Sequence, residues 1–154
     1  MHWRDLLHTA RDLLAVSGGK PRQANLHRAT STAYYAMFHA LAGCAADLLI
    51  GGTNSARHKD TWKQVYRAID HRAAKEACKP AKIAHLPQEI QDFANMFAAL
   101  QEKRHNADYD PTCRSTKSAV AVDINQAQVV IEKFQSASAK DKRAFVALVM
   151  FKAR

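Results

Sequence analysis

The segment from Phe93 to Asp110 places a cation where an apolar side chain is expected; it reads FANMFAALQEKRHNADYD. Phe93, Phe97 and Leu100 recur at helical spacing and mark one face of a helix. The next position on that face, four residues past Leu100, is Arg104. A guanidinium is costly to bury unless it is paired or lines a polar cleft, and its planar fork suits phosphate or carboxylate. Arg104 is therefore either part of a structural ion pair or the cation of a binding site.

Two side chains that follow Arg104 leave both interpretations open. Asp108 lies four residues further on, at the spacing of a helical ion pair that could be purely structural. Tyr109 could belong to a site, or it could simply pack with its hydroxyl bonded to a neighbour.

A second polar group lies on an upstream helix that is apolar around much of its circumference. Its members follow at spacings of four, three and four: Arg28, Thr32, Tyr35 and His39. Polar groups on a central helix need partners or a cleft. Either Tyr35 and His39 are satisfied by neighbouring backbone, or the stripe faces Arg104 across a polar groove.

Helical periodicity runs through the chain without an alternating strand pattern, which predicts one all-α domain over residues 1–154. We expect an antiparallel bundle of about five helices and a short C-terminal helix, with loops at 51–57 and 79–86. The first two expected helices run from Trp3 to Gly18-Gly19 and from Pro21 to Gly51-Gly52. The third runs from about His58 to Ala77, with Trp62, Val65, Ile69 and Ala73 inward, and the fourth from Pro87 to Pro111. A fifth helix is marked by Val120, Ile124, Ala127, Ile131 and Phe134, and a short last helix follows the capping residues Ser138 and Asp141.

Positive charge is in excess: the net charge is +9 and residues 57–82 hold 8 bases against 3 acids. Such a stretch favours polyanions and raises their encounter rate. A solvated basic surface without a partner is the alternative, because charge alone does not establish nucleic-acid binding.

Several other classes of protein are disfavoured by the sequence. It has no apolar run long enough to span a membrane, and its acid-containing amphipathic N-terminus is unlike a signal peptide. Cys44, Cys78 and Cys113 are odd in number and widely spaced, which predicts reduced thiols in a cytoplasmic protein. No glycine-rich phosphate loop or metal-ligand spacing is found, so we expect neither a cofactor nor a metal.

Two segments resemble the HEPN domain family. The second helix, RATSTAYYAMFHALAGCAADLLIGG, is similar to the family's AYYAMFHA signature, and His58-Lys59 follows it as in many members. The end of the fourth helix, RHNADYDP, resembles the family's ADYDP ending. The resemblance implies a helical bundle that homodimerises and does RNA-related work, as metal-independent endoribonucleases, as toxins paired with nucleotidyltransferase antitoxins, or in defence.

The chain departs from the active nucleases of that family at one position. They carry a histidine shortly after the arginine that Arg104 matches, whereas Tyr109, Asp110 and Pro111 stand here. Metal-free RNA cleavage needs proton carriers, for which the imidazole pKa of about 6.5 is suited and the phenol pKa of about 10 is not. The candidate catalytic residues are Arg104, His105, Asn106 and Tyr109, and the candidate binding cleft holds Arg28, Tyr35, His39 and Asp108.

His105 and Asn106 are adjacent to the arginine, yet successive helical residues point about 100° apart. His105 therefore leaves the face of Arg104 unless the helix frays at Asn106. A dimer that pairs two copies of this helix would double Arg104 and Asn106 in one groove.

Three functions follow from these features. The first is a toxin–antitoxin or defence-type HEPN protein that binds RNA, nucleotide or a partner protein through a dimer cleft with a degenerate nuclease motif. The second is an active metal-independent endoribonuclease that uses Arg104. The third is a structural helical interaction module.

Overall fold

The computed structural model describes residues 2–16, 20–53 and 55–154. Within these ranges the chain is helical without any strand, which confirms the predicted all-α fold. The predicted end of the first helix, Gly18-Gly19, lies outside the described residues. The helices are α1 (Trp3–Ala15), α2 (Gln23–Leu49), α3 (Lys59–Ala68), α4 (His71–Ala77), α5 (Pro80–Ile83), α6 (Gln88–Tyr109), α7 (Lys117–Ser136) and α8 (Ala139–Met150).

Helix α2 is the central element, because it packs against α1, α3, α6, α7 and α8. Its small residues make this possible: seven alanines lie on the buried surface, where they let neighbouring helices approach on several sides. They are Ala29, Ala33, Ala36, Ala40, Ala42, Ala45 and Ala46. The polar stripe of α2 is thus carried by the best-anchored helix of the bundle.

The two C-terminal helices, α7 and α8, pack against α6 in the same hydrophobic core. Phe93 of α6 stacks on Phe134 of α7 with ring centroids 4.2 Å apart, and Phe145 of α8 meets both rings edge-on. The predicted inner face of α7 is buried throughout: Val120, Ile124, Ala127, Ile131 and Phe134. Ser138 caps α8 by accepting a bond from the Asp141 amide at 3.1 Å, as expected. The orientation of α6, and hence of Arg104, is fixed from both sides.

The prediction of one helix from His58 to Ala77 is wrong. The backbone is extended at Ile69, with ψ 118°, and α4 begins anew at His71. The Asp70 carboxylate accepts a bond from the Ala73 amide at 2.8 Å, so a local cap competes successfully with continued helix. Ala73 is consequently exposed rather than inward. The break frees α4 to turn its first residue, His71, toward α2.

The two predicted loops differ in outcome. Residues 79–86 contain the short helix α5, which Pro80 opens at its first position. Residues 51–57 are non-helical where they are described, and Gly51 adopts φ 139°, a conformation that side chains disfavour. The structure has more helices than the periodicity predicts, because the third predicted helix is divided at Ile69 and because α5 is additional.

Candidate functional site

Arg104 lies on the inner face of α6, as its apolar stripe predicts. Phe93, Phe97 and Leu100 are fully buried, and the Arg104 side chain is only 16% exposed. Its Cζ atom stands 5.1 Å from the ring centroid of Tyr34 and 5.8 Å from that of Tyr35, within cation–π range of both rings. The guanidinium is thus held in an aromatic setting rather than in bulk solvent.

The pairing of Arg104 is incomplete. Its Nη1 atom lies 3.6 Å from Oδ2 of Asp108, so the predicted helical ion pair is present but is longer than a hydrogen bond. The other oxygen of Asp108 accepts a 2.7 Å bond from the Ser31 hydroxyl of α2. The Nε atom of Arg104 is buried and has no hydrogen-bond partner in the described part of the chain. Arg104 therefore keeps one buried donor that no described group satisfies, and an unmet donor of this kind calls for an acceptor such as an oxyanion.

A histidine from another helix lies in the same aromatic cluster. The Nδ1 atom of His71 is 2.6 Å from the hydroxyl of Tyr34, and its ring stacks on Phe38 at 4.1 Å. Gln101, three residues before Arg104, donates to the His71 carbonyl at 3.0 Å and fixes the start of α4 against α6. Arg104 and His71 both flank Tyr34, so α2, α4 and α6 each contribute one part of the cluster.

The environment keeps both hydrogen-bonding side chains neutral. Burial lowers the pKa of His71, and the nearby Arg104 charge lowers it further against an opposing effect of Asp70. Burial raises the pKa of the Tyr34 phenol far above its ordinary value, and Arg104 offsets only part of that. At neutral pH the cluster therefore offers one fixed cation, a neutral imidazole and a protonated phenol.

The polar stripe of α2 divides between several environments. Tyr35 contacts Arg104, whereas Arg28 is exposed and its carbonyl accepts the Thr32 hydroxyl at 2.7 Å. His39 pairs through Nδ1 with the Tyr66 hydroxyl of α3, so a side chain rather than backbone satisfies it. Burial also lowers the pKa of His39.

The other candidates at the end of α6 point away from Arg104. The helix persists to Tyr109, so His105 does not return to the face of Arg104. His105 and Tyr109 instead form a pair with centroids 5.0 Å apart, and Tyr109 is 68% exposed. Asn106 lines a separate groove of about 300 Å³ beside Lys103, whose ammonium pairs with buried Asp123 at 2.9 Å.

His71, Tyr34 and Gln101 are members of the cluster that the sequence alone did not single out as site residues. The sequence does contain one local signal, because Asp70 is a residue type that favours the start of a helix. A helix that starts at His71 can direct the His71 side chain differently from the exposed face of α3. The approach of His71 to Arg104 depends on the packing of α4 against α6 and α8, for which no sequence spacing gives a signal.

Comparisons with protein-family models, with curated proteins and with solved structures gave no match to this chain. The HEPN resemblance therefore rests on the motifs of α2 and of the end of α6. No helix among the described residues has the length and apolar character needed to cross a bilayer.

Proposed function

We propose that this protein binds RNA through a phosphate group seated on Arg104, as a HEPN-type protein of a toxin–antitoxin or defence system. The observation that carries the proposal is the part-buried guanidinium of Arg104, whose buried Nε has no described acceptor and whose contact to Asp108 is longer than a hydrogen bond. Arginine holds phosphate by two parallel N–H bonds, and the surrounding rings lower the local dielectric and strengthen them. The resemblance involves the same residues, since Tyr34 and Tyr35 belong to one motif and Arg104 to the other.

The proposal extends to partners. A homodimer would bring two Arg104 clusters into one cleft, and a nucleotidyltransferase-type antitoxin is the partner that the family resemblance suggests. Both remain open to direct measurement by mass analysis of the purified protein and of its coexpressed neighbours.

RNA cleavage is the second candidate, and the position of His71 favours it. In metal-free cleavage the 2′-hydroxyl loses a proton and attacks phosphorus, while the 5′-oxygen leaves with a proton. His71 is neutral and could accept the proton of the 2′-hydroxyl and then, as imidazolium, deliver it to the leaving 5′-oxygen, while Arg104 could stabilise the charge that develops on phosphorus. Tyr34 is a poor base because its pKa is raised, so His71 is the proton carrier in this cluster.

The test incubates the purified protein with a labelled RNA in excess EDTA and measures binding and cleavage together. We expect binding that is weakened in Arg104→Ala and retained in Arg143→Ala, which removes the same charge from an exposed site on α8. Cleavage lost in both Arg104→Ala and His71→Gln would establish the second candidate. The binding proposal is wrong if the wild-type protein does not bind RNA, or if the two arginine variants bind equally well.

A further inference from the structure

A row of part-exposed rings runs along α2 where α3 and α4 pack against it. Successive ring centroids are 5.2 Å apart from Trp62 to Tyr66, 5.7 Å on to His39, 6.0 Å on to Phe38 and 4.1 Å on to His71. The row then reaches Tyr35, whose centroid is 6.0 Å from that of His71. The aromatic row is defined by these six residues, none of which is fully buried: Trp62, Tyr66, His39, Phe38, His71 and Tyr35.

An arginine stands at each end of the aromatic row. Arg57 lies 4.3 Å above the ring of Trp62 and pairs with Asp47 at 3.1 Å. Arg104 lies 5.8 Å from Tyr35 at the other end. The row thus leads from one cation to the cluster proposed to hold phosphate.

The exposed face of α3 lies beside this row and is basic. Lys59, Lys63 and Arg67 recur every four residues, are exposed, and form no ion pair within the described ranges. Lys63 and Arg67 line an open hollow of about 520 Å³, in which Asp60 is the acid. No residue of α3 is fully buried, and this helix packs against the core through the part-buried side chains of Val65 and Tyr66.

We infer that the aromatic row and the basic face of α3 together seat a single-stranded segment of RNA that ends at Arg104. Unpaired bases stack on aromatic side chains while lysine and arginine follow the backbone, a combination that binds single strands without a fixed sequence. An RNA duplex cannot bind in this way, because its bases are already stacked on each other and are not free to stack on the aromatic row. The inference rests on the proposed function and adds the class of RNA and its path to the site.

The experiment measures the affinity of a fluorescein-labelled, uridine-rich single strand and of a blunt RNA duplex by anisotropy over a range of salt concentrations. The variants are Lys63→Glu with Arg67→Glu, Trp62→Phe, Arg104→Ala, and the control Lys133→Glu, an exposed reversal on α7. Circular dichroism confirms that each variant is folded. Fluorescence of Trp62 is followed in Trp3→Phe protein, where it is the remaining tryptophan of the two.

We expect the double reversal on α3 to weaken single-strand binding by about tenfold or more and to lower the salt slope by about 1.4, since each phosphate contact of a single strand contributes about 0.7. Trp62 fluorescence should be quenched on binding, and Lys133→Glu should have a much smaller effect.

Three results overturn the inference: equal binding of duplex, unchanged Trp62 fluorescence at saturation, or equal effects of the α3 and α7 reversals. If Arg104→Ala alone weakens binding, the proposed function stands and this path is wrong. If the wild-type protein binds no RNA, both are wrong.

Discussion

At the scale of single residues, Asp108 competes for the cation that we propose as the phosphate site. It contacts Arg104 at 3.6 Å and is itself held by Ser31. An incoming phosphate must displace or share this pair. The charge of Asp108 therefore influences the affinity for phosphate, and replacing one carboxylate oxygen by an amide nitrogen removes that charge.

Asp108→Asn should raise RNA affinity by about three- to tenfold, because it removes the competing charge while its amide oxygen can still accept the Ser31 hydroxyl. The control is Glu102→Gln, which removes one charge from an exposed position of the same helix. Anisotropy titrations compare the two. Equal gains would show that net charge, and not the Arg104 pair, is responsible.

His71 and His39 should make the fold sensitive to mild acid. Burial lowers the pKa of both below 6.5, so the unfolded chain binds protons more readily than the folded chain as the pH falls. The stability that the neutral imidazoles provide is present above pH 6.5 and declines below it.

We expect the urea midpoint to fall between pH 7.5 and pH 5.5, with a smaller fall in His71→Gln and in His39→Gln. The exposed His85 provides the control variant, His85→Gln. A midpoint that responds equally in all three variants would contradict this assignment.

At the scale of elements, the break between α3 and α4 decides whether His71 joins the site. The capping bond of Asp70 and the extended backbone at Ile69 hold this break. If α3 continued without a break, the helical turn of α3 would set the direction of the His71 side chain, and His71 would lose its hydrogen bond with Tyr34. The cap therefore has a positional as well as a stabilising role.

Asp70→Ala should lower the free energy of unfolding by about 0.5–2 kcal/mol and also weaken RNA binding. Thr116→Ala removes a comparable cap, at the start of α7, where the hydroxyl accepts the Ala119 amide at 3.2 Å. We expect it to cost similar stability without affecting binding. Urea unfolding and anisotropy measure the two effects, and parallel losses of affinity would contradict a positional role for Asp70.

At the scale of the molecule, residues 117–150 belong to the same core as the proposed site. The Phe93, Phe134 and Phe145 rings join α6, α7 and α8, and all three are fully buried. The family resemblance covers this C-terminal region poorly, yet the rings of Phe134 and Phe145 pack directly on α6 and help to hold that helix in place.

Phe134→Ala should cost about 3–5 kcal/mol, because the core cannot close around the lost ring, and unfolding should remain a single transition. Val129→Ala, at a position 48% exposed on the same helix, should cost much less. Two separate transitions in urea would show instead that α7 and α8 unfold independently of α6.

The sequence by itself determined the features that depend on periodicity within one helix. These are the all-α fold, the central position of α2, the inner face of α7, the inward direction of Arg104 and its pair with Asp108. Each follows because residues three or four apart share a helical face, whatever the helix packs against. The separation of His105 from Arg104 follows from the same geometry, whereas the separate groove of Asn106 was seen only in the structure.

Only the tertiary structure decided which side chains from different helices meet. The approach of His71 to Arg104, the pairing of His39 with Tyr66 and the continuity of the aromatic row depend on how α3, α4 and α6 are rotated and placed against α2. Periodicity indicates which way a side chain points from its own helix, but it carries no information on the rotation of one helix relative to another. That rotation is set by close packing of the whole core, in which every side chain takes part.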